Sequence, residues 1–374
     1  MILRFCKKEI LQSLDKKKIV HIPGPRQVGK TMLVEKIGKE LGLKTFWLNG
    51  DDADAVTIFD NATSTKLRAI FGNSEFLIID EAQRIPNIGL VLKIIIDNIP
   101  NLKVLVTGSS AFELADKINE PLTGRKIEIF LYPLSFAELV NHSNWLEERR
   151  LLEHRMIFGS YPEVVTNKGD ERNVLKRLSD AYLYKDILSF EKLKKSSVII
   201  KLLQALALQL GSEVSYYELG QMLGVDNQTV ERYIDLLEKT YIVFKLQSFS
   251  RNLRNELKKS RKIYFYDNGI RNSLIANFTP LQLRQDTGAL WENYIISERK
   301  KYLSYNNIWA NCYFWRTHSQ QEIDYIEDFD GVLHAYEIKW NPKKQPTLSK
   351  SFSKAYPKHT YKVINPKNYD EFIM

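Results

Sequence analysis

The chain has 374 residues, of which 44% are hydrophobic and 26% charged, a composition that excludes a largely disordered or fibrous protein. It carries 54 Lys and Arg against 45 Asp and Glu, and the resulting net charge of +9 suits a phosphate-rich partner such as nucleotide or nucleic acid. Cys6 and Cys312 are too few for a secreted disulfide framework, and no leader or membrane span is evident, so we expect a cytoplasmic protein without a membrane partner.

Short apolar runs alternate with helical patterns in the first third of the chain. This alternation predicts crossover units and therefore a largely parallel sheet that is covered on both faces. The predicted strands are residues 18–22, 45–48, 76–80, 103–107 and 126–131. We therefore expect residues 1–134 to form one α/β domain.

The first predicted strand leads into the sequence GPRQVGKT, a complete phosphate-binding loop of the pattern G-x-x-x-x-G-K-[ST]. Its strand-to-helix context disfavours the alternative, a glycine-rich turn with a chance lysine. The glycines let the backbone amides approach a phosphate, the Lys30 ammonium is expected to contact the β- and γ-phosphates of ATP, and the Thr31 hydroxyl is expected to coordinate Mg²⁺. The predicted nucleotide-binding residues of the loop are Gly24, Pro25, Arg26, Gln27, Val28, Gly29, Lys30 and Thr31.

Two acids end the apolar segment FLIIDEAQ, about fifty residues after the loop. Ligands of such sheets bind beyond the carboxyl ends of the strands, so Asp80 is placed to support Mg²⁺. Glu81 is placed to orient and deprotonate a water for attack on the γ-phosphate. The two acids by themselves are consistent with an ordinary strand end, but together with the loop they predict ATP hydrolysis.

Polar residues after two further strands are candidates for the same site. Thr107 or Ser109, where the fourth predicted strand ends, are placed to contact the γ-phosphate, although such residues are also common turn formers. Arg125, after Gly124, is a candidate for stabilising the transition state, from its own subunit or from a neighbour in a homo-oligomer. An ordinary surface arginine is an equal alternative.

The middle of the chain changes from alternating structure to helices. Residues 135–210 have helical spacing and are predicted to form a lid-like region. Residues 211–270 predict a winged helix, because two short helices joined by a turn precede two strands that are linked by a basic loop. The loop includes Lys262, and the residues predicted to contact nucleic acid are Arg251, Arg254, Lys258, Lys259 and Arg261. A solvated loop on a protein-binding winged helix is the alternative.

The last hundred residues carry an Asp…Glu-x-Lys pattern on two predicted strands. Asp324 and Glu337 are carboxylates able to share Mg²⁺, and Lys339 is placed to activate a water, as in PD-(D/E)XK nucleases. Glu292, on a preceding helix, is a candidate for an additional acid. Residues 271–374 are therefore predicted to form a nuclease-like α/β domain, with a degenerate fold that binds without cutting as the alternative.

Further segments complete a pattern that covers nearly the whole chain. They are LIIDEAQ, TGSSA, LTGRKIEIFLYPLSFAEL, GSYPEVV, KIYFYDNGIRNSL, GALWENYI and EIDYI. Together with GPRQVGKT they resemble the prokaryotic AAA+ ATPases that have a C-terminal restriction-endonuclease-like domain. The resemblance implies an α/β P-loop NTPase with the parallel sheet order 5-1-4-3-2.

The sequence thus predicts an AAA+-type ATPase that uses ATP and Mg²⁺ and couples hydrolysis to the engagement of nucleic acid, most simply DNA. Two other functions remain open at this point. One is a nucleotide-controlled switch that binds a protein partner, and the other is a Mg²⁺-dependent nuclease gated by ATP.

Overall fold

The computed structural model describes residues 2–108, 122–181, 196–250, 260–317 and 320–374. The chain forms two compact units. The first unit contains Met1–Pro133 with Lys239–Tyr241, and the second contains Leu134–Glu238 with Ile242–Met374. The change from the first unit to the second thus falls close to the predicted end of the α/β domain.

A parallel five-stranded sheet forms the centre of the first unit. Its strands are β1 (Ile19–Pro23), β2 (Thr45–Asn49), β3 (Phe76–Asp80), β4 (Lys103–Gly108) and β5 (Lys126–Glu128). The order β2-β3-β4-β1-β5 is the one that the resemblance implied. Every residue of β1 and β3 is buried, because strands with helices on both faces need continuous apolar runs.

Helices on both sides of this sheet follow the expected alternation. They are Cys6–Leu14, Lys30–Leu41, Ala53–Phe59, Ser64–Phe71 and Ile88–Asn98. Ile79 and Val104 of the sheet belong to the same buried core as Leu92 and Ile95 of the last helix. Because β1, β3 and β4 run in the same direction, their carboxyl ends lie at one edge of the sheet.

The second unit begins with helices, as the spacing in residues 135–210 predicted. Its helices are Phe136–His142, Trp145–Arg150, Leu152–Phe158, Pro162–Thr166, Glu171–Ala181, Ser196–Leu208, Tyr216–Leu223, Asn227–Lys239, Asn268–Leu274, Thr287–Tyr305, Lys350–Ala355 and Asp370–Ile373. A capping box starts the first of them, since the Ser135 side chain accepts from the Glu138 amide and the Glu138 carboxylate accepts from the Ser135 amide. Residues 182–195 of this predicted helical region lie outside the described ranges.

One seven-stranded sheet spans the rest of the second unit. Its strands are β6 (Glu213–Val214), β7 (Val243–Ser248), β8 (Arg261–Phe265), β9 (Asn311–Arg316), β10 (Glu322–Phe329), β11 (Val332–Ile338) and β12 (His359–Ile364), in the order β12-β11-β10-β9-β7-β8-β6. The segments 211–270 and 271–374, predicted as separate domains, therefore contribute to a single sheet. They join where β7 pairs in parallel with β9, and Phe249 packs in the same core as Trp315.

Buried polar side chains hold several segments of the second unit together. Asp267 caps the helix Asn268–Leu274 and accepts a hydrogen bond of 2.7 Å from the Ser160 amide. A Cβ on Gly159 would lie 2.0 Å from Asp267 Oδ1, so only glycine fits there. Asn293 on the long helix Thr287–Tyr305 hydrogen-bonds both main-chain groups of Phe265. The motifs GSYPEVV, KIYFYDNGIRNSL and GALWENYI thus contain residues that fix the fold.

Candidate functional site

The phosphate-binding loop connects β1 to the helix Lys30–Leu41, as its motif requires. The buried Lys30 side chain curls back over the loop and donates to the carbonyl oxygens of Gly24, at 2.9 Å, and Pro25, at 2.7 Å. A Cβ on Gly24 would lie 2.2 Å from the Leu131 carbonyl oxygen, and Gly29 has a φ of 92°. Both glycines are therefore required by the backbone of the loop.

Arg4 supports this loop, although no sequence pattern indicates it. Its buried guanidinium donates to the Val28 carbonyl oxygen at 2.7 Å and also to the Tyr132 carbonyl oxygen. A buried charge-assisted hydrogen bond is stronger than a neutral one, so Arg4 holds the loop backbone against the segment after β5.

The Asp80 carboxylate lies at the carboxyl end of β3 and connects the loop to the neighbouring strand. Asp80 Oδ2 accepts from Thr31 Oγ1 at 2.6 Å, and Asp80 Oδ1 accepts from Thr107 Oγ1. Thr107 Oγ1 in turn accepts from the Glu81 amide at 3.2 Å. Thr107 is fully buried, so its hydroxyl orients Asp80 and the backbone of Glu81. This is a different role from the γ-phosphate contact that the sequence suggested for Thr107 or Ser109.

Glu81 adopts a left-handed backbone conformation with a φ of 49°. This conformation is uncommon outside glycine and is often found where function demands it. The Glu81 carboxylate accepts a hydrogen bond from Gln83 Nε2. A Cβ on Gly50 would lie 2.2 Å from the Glu81 carbonyl oxygen, so the glycine after β2 permits this turn. The sequence shows Gly50 directly after the strand β2, but only the pairing of β2 with β3 shows why a glycine is needed there.

The oxygen atoms of Thr31 and Asp80 fit the ligand preference of Mg²⁺. In the described part of the chain, no three carboxylate, histidine or cysteine side chains are grouped as a metal site. A P-loop needs no such cage, because Mg²⁺ there keeps waters and phosphate oxygens among its ligands. The hydroxyl and carboxylate at 2.6 Å from one another therefore suit Mg²⁺ bound with a nucleotide.

Arg125 lies at the amino ends of the strands, whereas the loop lies at their carboxyl ends. The Arg125 carbonyl oxygen accepts from the amide of Ile19, the first residue of β1, and the loop follows the last residue, Pro23. At about 3.3 Å per residue, the two ends of β1 are roughly 16 Å apart. The side chain pairs with Asp97 at 2.8 Å. The expected role of Arg125 in the site of its own subunit is therefore wrong. Ser109 lies outside the described residues.

Asp324, Glu337 and Lys339 come together in the second unit, as the C-terminal pattern predicted. Lys339 Nζ lies 2.6 Å from both Asp324 Oδ2 and Glu337 Oε2, and Asp324 also accepts from the Ile338 amide at 2.7 Å. Burial, followed by the charge of Asp324, raises the pKa of Glu337 to about 7. An ammonium group thus bridges the two carboxylates that were expected to share Mg²⁺.

Glu292 belongs to a second bridged pair of carboxylates. Lys262 Nζ lies 3.0 Å from Glu292 Oε1 and 2.6 Å from Glu322 Oε1, and Tyr264 donates to Glu292 at 2.5 Å. Burial lowers the pKa of Lys262, but Glu292, Glu322 and Asp324 outweigh it and raise this pKa overall. The sequence pattern places Lys262 in the basic loop, but the structure shows it buried and ion-paired. We call Lys262, Glu292, Glu322, Asp324, Glu337 and Lys339 the acid–lysine cluster.

Arg261 is the one predicted nucleic-acid contact within the described ranges. It pairs with Glu231 at 3.3 Å and lies 4.3 Å from the centre of the Tyr216 ring, with 24% of its side chain exposed. Arg261 is the first residue of β8, and its side chain contacts one residue in each of the two helices Tyr216–Leu223 and Asn227–Lys239. These contacts partly compensate its charge. Arg251, Arg254, Lys258 and Lys259 lie outside the described residues.

Family models match three consecutive segments of the chain. The AAA domain model matches residues 16–140. The first third therefore matches an AAA-type ATPase domain. Two domains of unknown function match the rest, DUF8612 at residues 149–282 and DUF4143 at residues 287–372. Neither of these two matches assigns a restriction-endonuclease-like fold to residues 149–372.

Relatives with curated sequences share most of this chain but have no stated function. An uncharacterized protein of Mycobacterium tuberculosis is 28% identical over 349 residues, which cover 92% of this chain and 75% of the relative. An uncharacterized protein of Methanocaldococcus jannaschii is 25% identical over 306 residues, which cover 70% of this chain and 63% of the relative.

Two solved structures show weak likeness. RuvB of Thermotoga maritima has 17% identity and a TM-score of 0.32, covering 67% of this chain and 93% of its own. Bacteroides Pif1 bound to single-stranded DNA has 15% identity and a TM-score of 0.26, covering 41% and 50%. Both scores are too low to bear on the fold. Within the described ranges, no helix has both the length and the apolar composition needed to span a membrane.

Proposed function

We propose that the AAA-type domain binds ATP with Mg²⁺ and hydrolyses it at the edge where β1, β3 and β4 end. The observation that carries this proposal is the connection of Thr31, Asp80 and Thr107 by short side-chain hydrogen bonds. These hydrogen bonds bring Thr31, the last residue of the loop motif, together with Asp80 at the end of β3 and Thr107 of the neighbouring strand β4. The match of residues 16–140 to the AAA domain supports it.

In this proposal, the loop residues bind the phosphates, and the residues at the strand ends support Mg²⁺ and the attacking water. The loop amides and Lys30 bind the β- and γ-phosphates, and Thr31 and Asp80 would hold Mg²⁺, which neutralises charge on the phosphate oxygens. Glu81 follows Asp80 directly, and its carboxylate orients a water and accepts its proton. Gln83 positions that carboxylate by donating to it.

Lys30→Ala tests the nucleotide proposal directly. Loss of the ammonium that contacts the phosphates should abolish ATP binding or weaken it severely, measured by titration with a fluorescent ATP analogue. Lys36→Ala, on the same helix beyond its first turn, is the matched control and should bind as wild type does. Wild-type binding by Lys30→Ala would contradict the proposal.

We further propose that the second unit engages nucleic acid through a winged helix. The helix Ser196–Leu208, β6, two helices, β7 and β8 follow one another in that order, and β6 and β7 flank β8. This topology supports a winged helix, whose second short helix, Asn227–Lys239, would face a groove. The net charge of +9 and the basic residues between β7 and β8 support contact with phosphates.

A salt titration of DNA binding tests the winged-helix proposal. Wild-type affinity should fall steeply between low and physiological salt, because bound cations are released from DNA. Reversal of Arg254, Lys258, Lys259 and Arg261 to Glu should weaken binding to all sequences alike. ATPase rates with and without DNA then show whether binding and hydrolysis are coupled. If the wild-type protein binds no DNA, the nucleotide-controlled protein switch is favoured.

The acid–lysine cluster supports a second candidate function, a nuclease gated by ATP. The convergence of Asp324, Glu337 and Lys339 supports it, and the ammonium between the carboxylates supports a domain that binds without cutting. An assay with plasmid DNA, ATP and Mg²⁺ or Mn²⁺ separates the two. Cleavage that Asp324→Asn removes, with the ATPase rate unchanged, would establish the nuclease.

A further inference from the structure

An open cavity of about 690 Å³ lies in the second unit, outside the P-loop site and the acid–lysine cluster. The end of the helix Trp145–Arg150 forms one wall, and the residues that follow Lys339 form another. Its volume is in the range of small-molecule sites. Three residues of the lining determine its chemistry: Arg149, Arg150 and Trp340.

Trp340 and Arg149 are held in place by their neighbours. The Trp340 ring packs edge-on against the fully buried Trp291, with ring centres 5.4 Å apart, and remains partly exposed to the cavity. The Arg149 guanidinium lies 4.6 Å from the centre of the Trp145 ring and donates to the Pro366 carbonyl oxygen at 3.2 Å. A site whose side chains are locked by packing needs little reorganisation to bind a ligand.

Arg150 provides a charge for a ligand. It is exposed, and among the residues that the structure describes its side chain has no hydrogen-bond or ion-pair partner. Arg149, by comparison, lies 3.7 Å from Asp370. The lining also contains Glu153, whose carboxylate accepts a hydrogen bond of 2.8 Å from the neutral amide of Gln282 and keeps its negative charge. The cavity therefore combines an aromatic surface with the unpaired guanidinium of Arg150 and one carboxylate.

We propose that this cavity binds one nucleoside phosphate, with the base against Trp340 and the phosphate on Arg150. Aromatic rings stack on any base, and guanidinium groups bind phosphate. We take the source of the nucleotide to be an unpaired end of a nucleic-acid strand. Trp340 directly follows Lys339 of the acid–lysine cluster, and that cluster is the candidate site for cutting nucleic acid. That source rests on the proposed engagement of nucleic acid, whereas the cavity itself also admits a free nucleotide.

The test compares binding of a labelled blunt duplex DNA and of the same duplex with a single-stranded overhang to the full-length protein. The wild type should prefer the overhang by at least about fivefold, the lower range for stacking one base. Trp340→Ala should remove the preference, and Trp340→Phe should keep most of it. Arg150→Gln, a surface change that does not threaten folding, should reduce it. Trp309→Ala removes a tryptophan that is 96% exposed and outside the cavity, and should change nothing.

A direct titration with labelled deoxyadenosine monophosphate distinguishes the two sources. This nucleotide lacks the β- and γ-phosphates that the P-loop is proposed to bind, and dependence on Trp340 assigns its binding to the cavity. Binding that depends on Trp340 without an overhang preference identifies a free nucleotide. An overhang preference that persists in both Trp340→Ala and Arg150→Gln, or no preference and no nucleotide binding that depends on Trp340 in the wild type, overturns the proposal. Normal salt-dependent binding of blunt duplex in that last case would leave the proposed function intact.

Discussion

The P-loop site and the acid–lysine cluster use the same residue types in different arrangements. At the P-loop, Lys30 donates to two neutral main-chain carbonyls, and Asp80 accepts from two hydroxyls. In the acid–lysine cluster, Lys262 and Lys339 each bridge two carboxylates. Hydrogen bonds to neutral groups orient an ionised side chain, whereas a bridged ion pair also compensates its charge.

The two regions are therefore suited to different tasks. Lys30 and Asp80 are oriented for charged ligands, phosphate for the lysine and Mg²⁺ for the carboxylate. The carboxylates of the second region have their charge balanced inside the protein, so a cation has to displace or share an ammonium to bind there. We therefore expect substitutions at the first site to change chemistry and those in the second to change stability first.

The largest effect is expected for Glu81→Gln. The variant should still bind ATP, because Lys30 and the loop are unchanged, but hydrolysis should slow by about two to four orders of magnitude, the range for a lost general base. Steady-state phosphate release and ATP titration measure the two quantities separately. A wild-type rate would show that Glu81 is not the base.

Lys262→Met tests whether the second region is held by its ion pairs. The change leaves Glu292 and Glu322 without their shared cation, and breaking a buried pair in this way costs about 3 kcal/mol. Urea unfolding followed by tryptophan fluorescence measures this, since five of the six tryptophans lie in the second unit. The ATPase rate should be unchanged. Stability equal to the wild type would mean that the bridge contributes nothing.

Thr107→Val removes a hydroxyl that orients Asp80 and Glu81 and keeps the shape of the side chain. Loss of such a supporting hydrogen bond should lower the ATPase rate by about tenfold to a hundredfold, with ATP binding largely kept. Thr45→Val, on an exposed position of β2, is the control and should hydrolyse ATP normally. An undiminished rate in Thr107→Val would assign the orientation of Asp80 to Thr31 alone.

Glu337 should make the second unit less stable as the pH rises. Its folded-state pKa of about 7 exceeds its usual value of 4.5, so the folded protein holds a proton that the unfolded chain releases between these values. At about 1.4 kcal/mol per pH unit, the wild type loses up to about 3 kcal/mol from pH 4.5 to pH 7. Glu337→Gln should lose less over this range. Parallel urea midpoints for both proteins would contradict the raised pKa.

Much of the first unit is determined by the sequence alone. Continuous apolar runs predict β1, β3 and β4, because buried parallel strands need apolar residues on both faces. The motif GPRQVGKT predicts the loop and its helix, since its residues are neighbours in the chain. Asp80 and Glu81 end a strand, and the direction of parallel strands places that end beside the loop.

Other features depend on contacts between segments that are distant in the sequence. Arg4 lies 24 residues from Val28, and Gly50 contacts the turn after another strand, so neither contact follows from a local pattern. Arg125 precedes β5, which was predicted over residues 126–131 and ends at Glu128 in the structure, and its position at the amino end of that strand takes it away from the loop. Lys262 belongs by sequence to a basic loop, but its place in β8 puts it inside the acid–lysine cluster. Local patterns determine elements, whereas strand register and packing determine which distant side chains meet.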